Sequence, residues 1–169
     1  MQKVILVAAI GIFAVAAYGD MRTRRIPNVL ALAIAVLGLG RIIIAQDPVA
    51  AAYTLIAAAA MLGVGFLLFW RGVLGGGDAK LIAATALLVG YHDLVEFLFL
   101  MSLCGLPLAL AVLARDKLGL GRSKRPAEPA AATDPETGAA ILSRSTVPYG
   151  VAISAAGAVI ILLQNFVSR

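Results

Sequence analysis

The sequence predicts an all-α integral membrane protein, a single membrane-embedded domain over residues 1–169 built as a bundle of about six transmembrane helices. Two observations lead to this prediction. Hydrophobic residues make up 62% of the chain and charged residues only 14%, with a mean hydropathy of +0.98, whereas a soluble domain averages about 45–50% apolar residues. The apolar residues also form long unbroken runs instead of one stripe at helical spacing, which is typical of helices surrounded by lipid.

The charged residues argue against a nucleic-acid-binding protein, although 14 Lys and Arg against 9 Asp and Glu give a net charge of +5. The basic residues cluster in short stretches between the apolar runs, as membrane topology requires, and form no continuous patch. The one cysteine, Cys104, lies inside an apolar run, which excludes an intramolecular disulfide and a Cys-x-x-Cys zinc site. We therefore expect no nucleic acid as a partner and no metal or other cofactor.

Six apolar segments are predicted as helices. They run over about residues 3–19, 28–45, 49–70, 79–91, 94–114 and 147–167. Five of them approach the roughly 20 apolar residues that a span needs. The fourth is interrupted by Tyr91, His92 and Asp93, so we expect a short helix that faces the protein interior or a thinned bilayer edge. Residues 115–146, which are rich in proline and charge, predict a flexible cytoplasmic loop.

Two aspartates lie at the ends of predicted segments. Asp20 follows the first segment and Asp78 precedes the fourth, with two further spans between them. Two crossings return a chain to the face from which it started, whichever way the protein is inserted. The two carboxylates are therefore predicted to share one side of the membrane.

The distribution of Lys and Arg identifies that side. Of the 14 basic residues, 11 fall on the face of the two aspartates, namely Arg22, Arg24, Arg25, Arg71, Lys80, Arg115, Lys117, Arg122, Lys124, Arg125 and Arg144. Lys3, Arg41 and Arg169 fall on the other face. The positive-inside rule makes the first face cytoplasmic and puts both chain termini outside. The first segment resembles a signal peptide, but its removal would leave three arginines on the translocated side, so we expect it to be retained.

The stretch Gly75–Lys80, GGGDAK, is the strongest chemical signal in the chain. A carboxylate beside a membrane-length apolar segment is costly to keep, which makes Asp78 a candidate functional residue. Glycines beside it indicate a backbone that bends tightly or that another chain approaches. Together with Asp20, it has the groups of an aspartyl protease, in which one carboxylate activates water and the other, protonated, polarises the scissile carbonyl. The simpler explanations are an interfacial ion pair of Asp20 with Arg22 or Arg24 and an N-cap role for Asp78.

Other chemistries have weaker support. The only histidine, His92, is predicted on the face opposite the aspartates, which argues against a catalytic triad or a histidine metal site. A Ser–Lys dyad of Lys80 with Ser123, Ser143 or Ser145 is conceivable, but each of these serines lies in a polar loop. Lys80 is more simply an anchor whose ammonium reaches the membrane surface.

Two proline-containing motifs begin predicted helices on the same face as the aspartates. They are Ile26-Pro27-Asn28 and Val147-Pro148-Tyr149-Gly150. Proline suits the first turn of a helix, so plain helix starts explain both motifs. Asn28 and Tyr149 remain candidates to line the site.

Taken together, these residues resemble the motifs of the type IV prepilin peptidases, which are GxGD aspartyl proteases of prokaryotes. Asp20 followed by MRTRRIPN fits Asp-x-Arg-x-x-x-Ile-Pro-Asn, residues 75–78 fit Gly-x-Gly-Asp, and PYG follows at 148–150. Gly-x-Gly-Asp alone is a weak signal, but the combination at this spacing is specific and covers nearly the whole six-span layout. The resemblance implies that Asp20 and Asp78 are catalytic, and the residues that would shape the site are Gly75, Gly77, Lys80, Pro27, Asn28, Pro148, Tyr149 and Gly150.

The resemblance also implies cleavage of a short basic leader peptide from prepilins or pilin-like proteins, at the cytoplasmic side of the inner membrane. Larger members also N-methylate the mature pilin through an added region with paired Cys-x-x-Cys motifs, which this chain lacks. We therefore expect the short, protease-only form associated with tight-adherence (Flp-type) pili, with prepilins, the lipid bilayer and pilus assembly machinery as partners. The alternative is a small transporter or assembly scaffold whose acids bind a cation.

Overall fold

Six α-helices and no strands make up the part of the chain that the computed structural model describes, residues 2–23, 27–117 and 149–167. The helices are α1 (Gln2–Thr23), α2 (Asn28–Ala45), α3 (Pro48–Trp70), α4 (Gly76–Val89), α5 (Leu94–Lys117) and α6 (Tyr149–Val167). All but α4 are long and apolar enough to cross a membrane. The predicted all-α, multi-pass membrane protein is confirmed.

The observed helix bounds agree with the predicted segments to within four residues at each end. Helix α1 continues past Asp20, which therefore lies inside the helix and not after it. Helix α5 continues to Lys117, three residues into the stretch predicted as a loop. The rest of that predicted loop and Pro148 lie outside the described residues.

Helix α4 is the shortest of the six helices and the most buried. Its 14 residues rise only about 21 Å at 1.5 Å per residue, less than the roughly 30 Å of a bilayer hydrocarbon core. It packs against α2, α3, α5 and α6. Its buried residues are Ala79, Leu81, Ala83, Ala84, Thr85, Ala86, Leu88 and Val89. The predicted short interior helix is confirmed, because other helices surround α4.

Two glycines let neighbouring helices approach α4 closely. A Cβ added at Gly38 of α2 would lie 2.9 Å from the backbone nitrogen of Leu88, and one added at Gly65 of α3 would lie 3.0 Å from the Cβ of Ala79. Small residues at such contacts are common in membranes, where helices associate through close packing and not through the hydrophobic effect. The backbones of α2 and α3 therefore determine where α4 lies.

Larger side chains fill the space between α1, α4, α5 and α6. The largest fully buried ones there are Phe13, Leu81, Leu88, Phe97, Ile153 and Ile160. Helix α1 packs on α6 and α2, and α5 packs on α6. The outer faces carry exposed apolar side chains such as Val7, Phe66 and Phe99, which suit contact with lipid.

A polar cluster fixes the C-terminal end of α4 to α2 and α6. Arg41 Nη1 donates hydrogen bonds to the carbonyl oxygen of Leu88 at 2.8 Å and to Gln164 Oε1 at 2.6 Å. Gln164 Nε2 donates to the carbonyl oxygen of Val89 at 2.9 Å and to the carboxylate of Asp93. The last carbonyl groups of a helix have no partner within the helix and carry the negative end of its dipole. The guanidinium of Arg41 and the side-chain amide of Gln164 therefore bind the free carbonyl groups at the C-terminal end of α4.

Replacement of Arg41 is expected to destabilise the protein. Arg41→Met removes the charged donor from the carbonyl groups of Leu88 and Val89 and from Gln164, so the free energy of unfolding should fall by about 3 kcal/mol. Thermal or denaturant unfolding in detergent micelles measures this. The control is Arg71→Met, at the exposed end of α3, which should change stability by less than about 0.5 kcal/mol. Equal losses in both variants would contradict the role of the cluster.

Candidate active site

Asp20 lies near the end of α1 and is only 6% exposed. Its Oδ2 accepts a hydrogen bond from the backbone N–H of Val151 at 3.2 Å. Val151 is the third residue of α6, so the carboxylate lies at a helix N-terminus, where free N–H groups and the helix dipole favour an anion. The guanidinium of Arg22 donates to Tyr18 Oη at 3.0 Å on the exposed side of α1.

Asp78 is the third residue of α4, and Gly75 is the N-cap. The interpretation of Asp78 as the N-cap is therefore wrong, because the helix begins at Gly76. The half-buried carboxylate turns back and forms a hydrogen bond with the backbone of Gly75. An acid at the third position of a helix bonds the N-cap N–H in the same way in a capping box.

The glycines before Asp78 provide space and not an unusual backbone conformation. Gly75 has φ −70°, and the two glycines after it are already helical, so the predicted tight turn at these positions is wrong. A positive φ occurs earlier, at Gly72 (+70°). A Cβ at Gly75 would lie 2.9 Å from Asp78 Oδ2, and one at Gly76 would lie 3.2 Å from Phe69 Cε2. The groups that lie close to these glycines are therefore the carboxylate of Asp78 and the ring of Phe69 in α3.

The two carboxylates lie close enough to interact. Burial raises the pKa of Asp78 from its ordinary value of 3.8 to about 6, the nearby charge of Asp20 raises it as well, and the hydrogen bond with Gly75 opposes both. Asp78 lies outside the five candidate membrane spans. Neighbouring carboxylates titrate as a unit and can share one proton, because ionising both brings like charges together. The pair can therefore present one protonated and one ionised carboxyl group.

Lys80 and Asn28 contact each other on a different side of α4. Lys80 Nζ donates a hydrogen bond to Asn28 Oδ1 at 3.1 Å. Asn28 directly follows Pro27, which is the N-cap of α2. Two residues correspond to about 200° around a helix, so Lys80 points away from Asp78. Lys80 and Asn28 line one part of an otherwise apolar groove of about 600 Å³ between α2, α3 and α4. The structure thus brings these two residues together, on a side of α4 different from that of Asp78.

The other chemistries gain no support from the described residues. His92 follows the C-terminal end of α4, and its ring stacks on that of Tyr91 with 3.9 Å between the ring centroids. The aspartates lie at the other end of α4, which excludes His92 from a site with them. Ser123, Ser143 and Ser145, the candidate partners of Lys80, lie outside the described residues.

The PYG motif is located where α6 meets Asp20. Tyr149 begins α6 and is partly exposed, Gly150 is buried, and the N–H that binds Asp20 belongs to the next residue, Val151. Pro148 lies outside the described residues. Sequence reasoning missed Val151 because a backbone N–H carries no residue-type signal. The sequence offered only an indirect signal for this contact, namely that a helix was predicted to start here on the same face of the membrane as the aspartates.

A family model described as the type IV leader peptidase family matches residues 7–110. The matched region contains both aspartates, most of α1 and α5, and all of α2, α3 and α4. It covers more than half of the 169 residues. Comparisons with curated proteins and with solved structures found no match.

Proposed function

Because the chain belongs to the type IV leader peptidase family, we propose that Asp20 and Asp78 together hydrolyse the peptide bond that joins a short basic leader to a prepilin. Family membership implies an aspartic endopeptidase with prepilin substrates. One observation supports the choice of residues. Two carboxylates lie at the N-termini of α6 and α4, close enough that Asp20 contributes to the raised pKa of Asp78.

In the proposed reaction, Asp20 is the base and Asp78 is the acid. The raised pKa of Asp78 favours its protonated form. Asp20, whose carboxylate accepts the N–H of Val151, is then the member of the pair that takes a proton from water. Water attacks the scissile carbonyl carbon and gives a proton to Asp20, while the carbonyl oxygen receives the proton of Asp78. When the C–N bond breaks, Asp20 returns its proton to the leaving amine and Asp78 recovers one from a hydroxyl of the intermediate.

The charge pattern and the missing motifs support the location and the subtype in this proposal. The excess of Lys and Arg on the face of the aspartates supports a site at the cytoplasmic face of the inner membrane. The chain has one cysteine and no Cys-x-x-Cys motif, which supports a protease without N-methyltransferase activity. We therefore propose Flp-type prepilins as the preferred substrates.

Reconstitution with prepilins tests this function. The purified protein in liposomes is incubated with prepilins of the Flp type and of other type IV classes, and the products are identified by mass spectrometry. We expect a free leader and a mature pilin with an unmodified amino terminus, formed fastest from the Flp-type substrate. If every prepilin stays intact, the proposed peptidase activity is wrong. If the mature pilin carries a methylated amino terminus, the proposal of a protease-only form is wrong.

The raised pKa of Asp78 predicts how cleavage depends on pH. Below about pH 6 the carboxyl group of Asp78 is mostly protonated, and above about pH 6 it is mostly ionised. Because kcat/KM reports the free enzyme, it should fall as pH rises above about 6, approaching tenfold per pH unit. Initial rates between about pH 5 and pH 8 measure this, with unfolding followed at each pH as the control. A kcat/KM that rises over this range in folded protein would contradict the assignment of Asp78 as the acid.

A further inference from the structure

Helices α1 and α6 contact each other along one row of residues that starts at Asp20. The N–H of Val151 binds Asp20, and six residues further along α6 a Cβ at Gly157 would lie 2.6 Å from Cζ of Phe13. Residues three apart on a helix share a face, so Ser154 lies between Val151 and Gly157 in this row. Gly157 faces Phe13 of α1 and Thr85 of α4, so the side chain of Ser154, about one turn before it, is directed toward the same side of α6.

Ser154 is 2% exposed, and its Oγ has no hydrogen-bond partner within the described part of the chain. Hydroxyl groups elsewhere bond to their own helix: Thr85 Oγ1 donates to Leu81 O at 2.8 Å and Ser102 Oγ donates to Leu98 O at 2.9 Å. A buried hydroxyl without a partner is unfavourable. Ser154 therefore needs a hydrogen-bonding partner that these helices do not supply.

The buried row of α1 that faces α6 has a polar end at Asp20 and an apolar end at Phe13. The residue of α1 between Asp20 and Phe13 in the buried row is Ala16, which contributes only a methyl group. Further from the aspartates, the space at Gly157 is bounded by the ring of Phe13 and by Thr85 Cγ2, 3.0 Å from an added Cβ. In the buried row of α1, the first polar side chain beyond Ala16 is that of Asp20.

We propose that Ser154 Oγ holds the water molecule that Asp20 deprotonates, an inference that rests on the proposed peptidase function. Three residues along a helix correspond to about 4.5 Å, and a water molecule makes hydrogen bonds of about 2.8 Å on each side. Side chains of a helix lean toward its N-terminus, so Ser154 Oγ is directed toward the end of α6 where Asp20 is bound, and the inferred water lies between the two groups. Buried water commonly satisfies polar groups that the protein leaves unpaired. Ser154 is a positioning residue, because it acts through the water and the aspartate.

Replacement of the hydroxyl separates this role from a structural one. Ser154→Ala should lower kcat for prepilin cleavage by about tenfold to a hundredfold, because the water is misplaced, while KM changes by less than about twofold. The unfolding temperature should stay the same or rise, since the removed hydroxyl has no partner among the described residues. Ser154→Thr, which keeps a hydroxyl group, should retain most of the wild-type kcat.

Ser102→Ala is the matched control, because it removes an exposed hydroxyl that is bonded to its own helix. It should leave kcat unchanged. A wild-type kcat in Ser154→Ala would overturn the inference, as would a loss of kcat accompanied by a lower unfolding temperature. A Ser154→Thr variant that is folded yet as slow as Ser154→Ala would also overturn it. Failure of the proposed function is distinguishable, because the wild-type protein itself then leaves prepilins uncleaved.

Discussion

Asp20→Asn and Asp78→Asn are each expected to slow leader removal by roughly 10³-fold or more. Asparagine keeps the size of the side chain, but it neither takes a proton from water nor gives one to the scissile carbonyl. The amide oxygen can still accept the N–H of Val151, so Asp20→Asn should fold. Initial rates of prepilin cleavage in liposomes measure the effect, and the amount of variant in the membrane shows that the protein is present.

A third aspartate provides the control for these variants. Asp47 is the N-cap of α3, and its Oδ1 accepts hydrogen bonds from the N–H groups of Val49 at 3.0 Å and Ala50 at 3.1 Å. Asparagine caps helices about as well as aspartate, so Asp47→Asn should keep both the fold and the wild-type rate. Normal cleavage by either Asp20→Asn or Asp78→Asn would remove that aspartate from the mechanism.

Gly75→Ala is expected to lower kcat/KM by about a hundredfold without a comparable loss of stability. The new methyl group would lie 2.9 Å from Asp78 Oδ2, so the carboxylate must move. Because it is the end of a flexible side chain, it can move at little cost to folding. A displacement of about 1 Å is nevertheless enough to reduce catalysis by this factor. Cleavage rates and unfolding temperatures, measured on the same preparation, test both parts of the expectation.

Gly63→Ala is the matched control for this substitution. A Cβ at Gly63 meets nothing within 4 Å, and alanine within a helix is more favourable than glycine by about 0.5–1 kcal/mol. We therefore expect normal cleavage and equal or higher stability. If Gly75→Ala cleaved prepilin at the normal rate, the space at Gly75 would have no part in catalysis. If its stability fell with its activity, Gly75 would have a folding role.

Much of the architecture follows from local properties of the chain. In lipid, every backbone polar group must be satisfied within the segment, so long apolar runs become helices whose number and order can be counted. Counting crossings was enough to predict that Asp20 and Asp78 share a side. The interruption at Tyr91, His92 and Asp93 was enough to predict that α4 is short. The helix start was misplaced because Gly76 and Gly77 are poor helix formers, yet they occupy the first turn of α4.

The sequence by itself determined the helices, the common side of the two aspartates and the family motifs, because these depend on composition, spacing and residue type. Only the tertiary structure decided what surrounds each side chain. It placed Asp20 on the N–H of Val151, turned Lys80 away from Asp78 and buried the hydroxyl of Ser154 without a hydrogen-bond partner among the described residues. The physical reason is that these relations depend on the rotation and separation of helices. Contacts between residues far apart in the chain set both, such as those of Gly157 with Phe13 and Thr85.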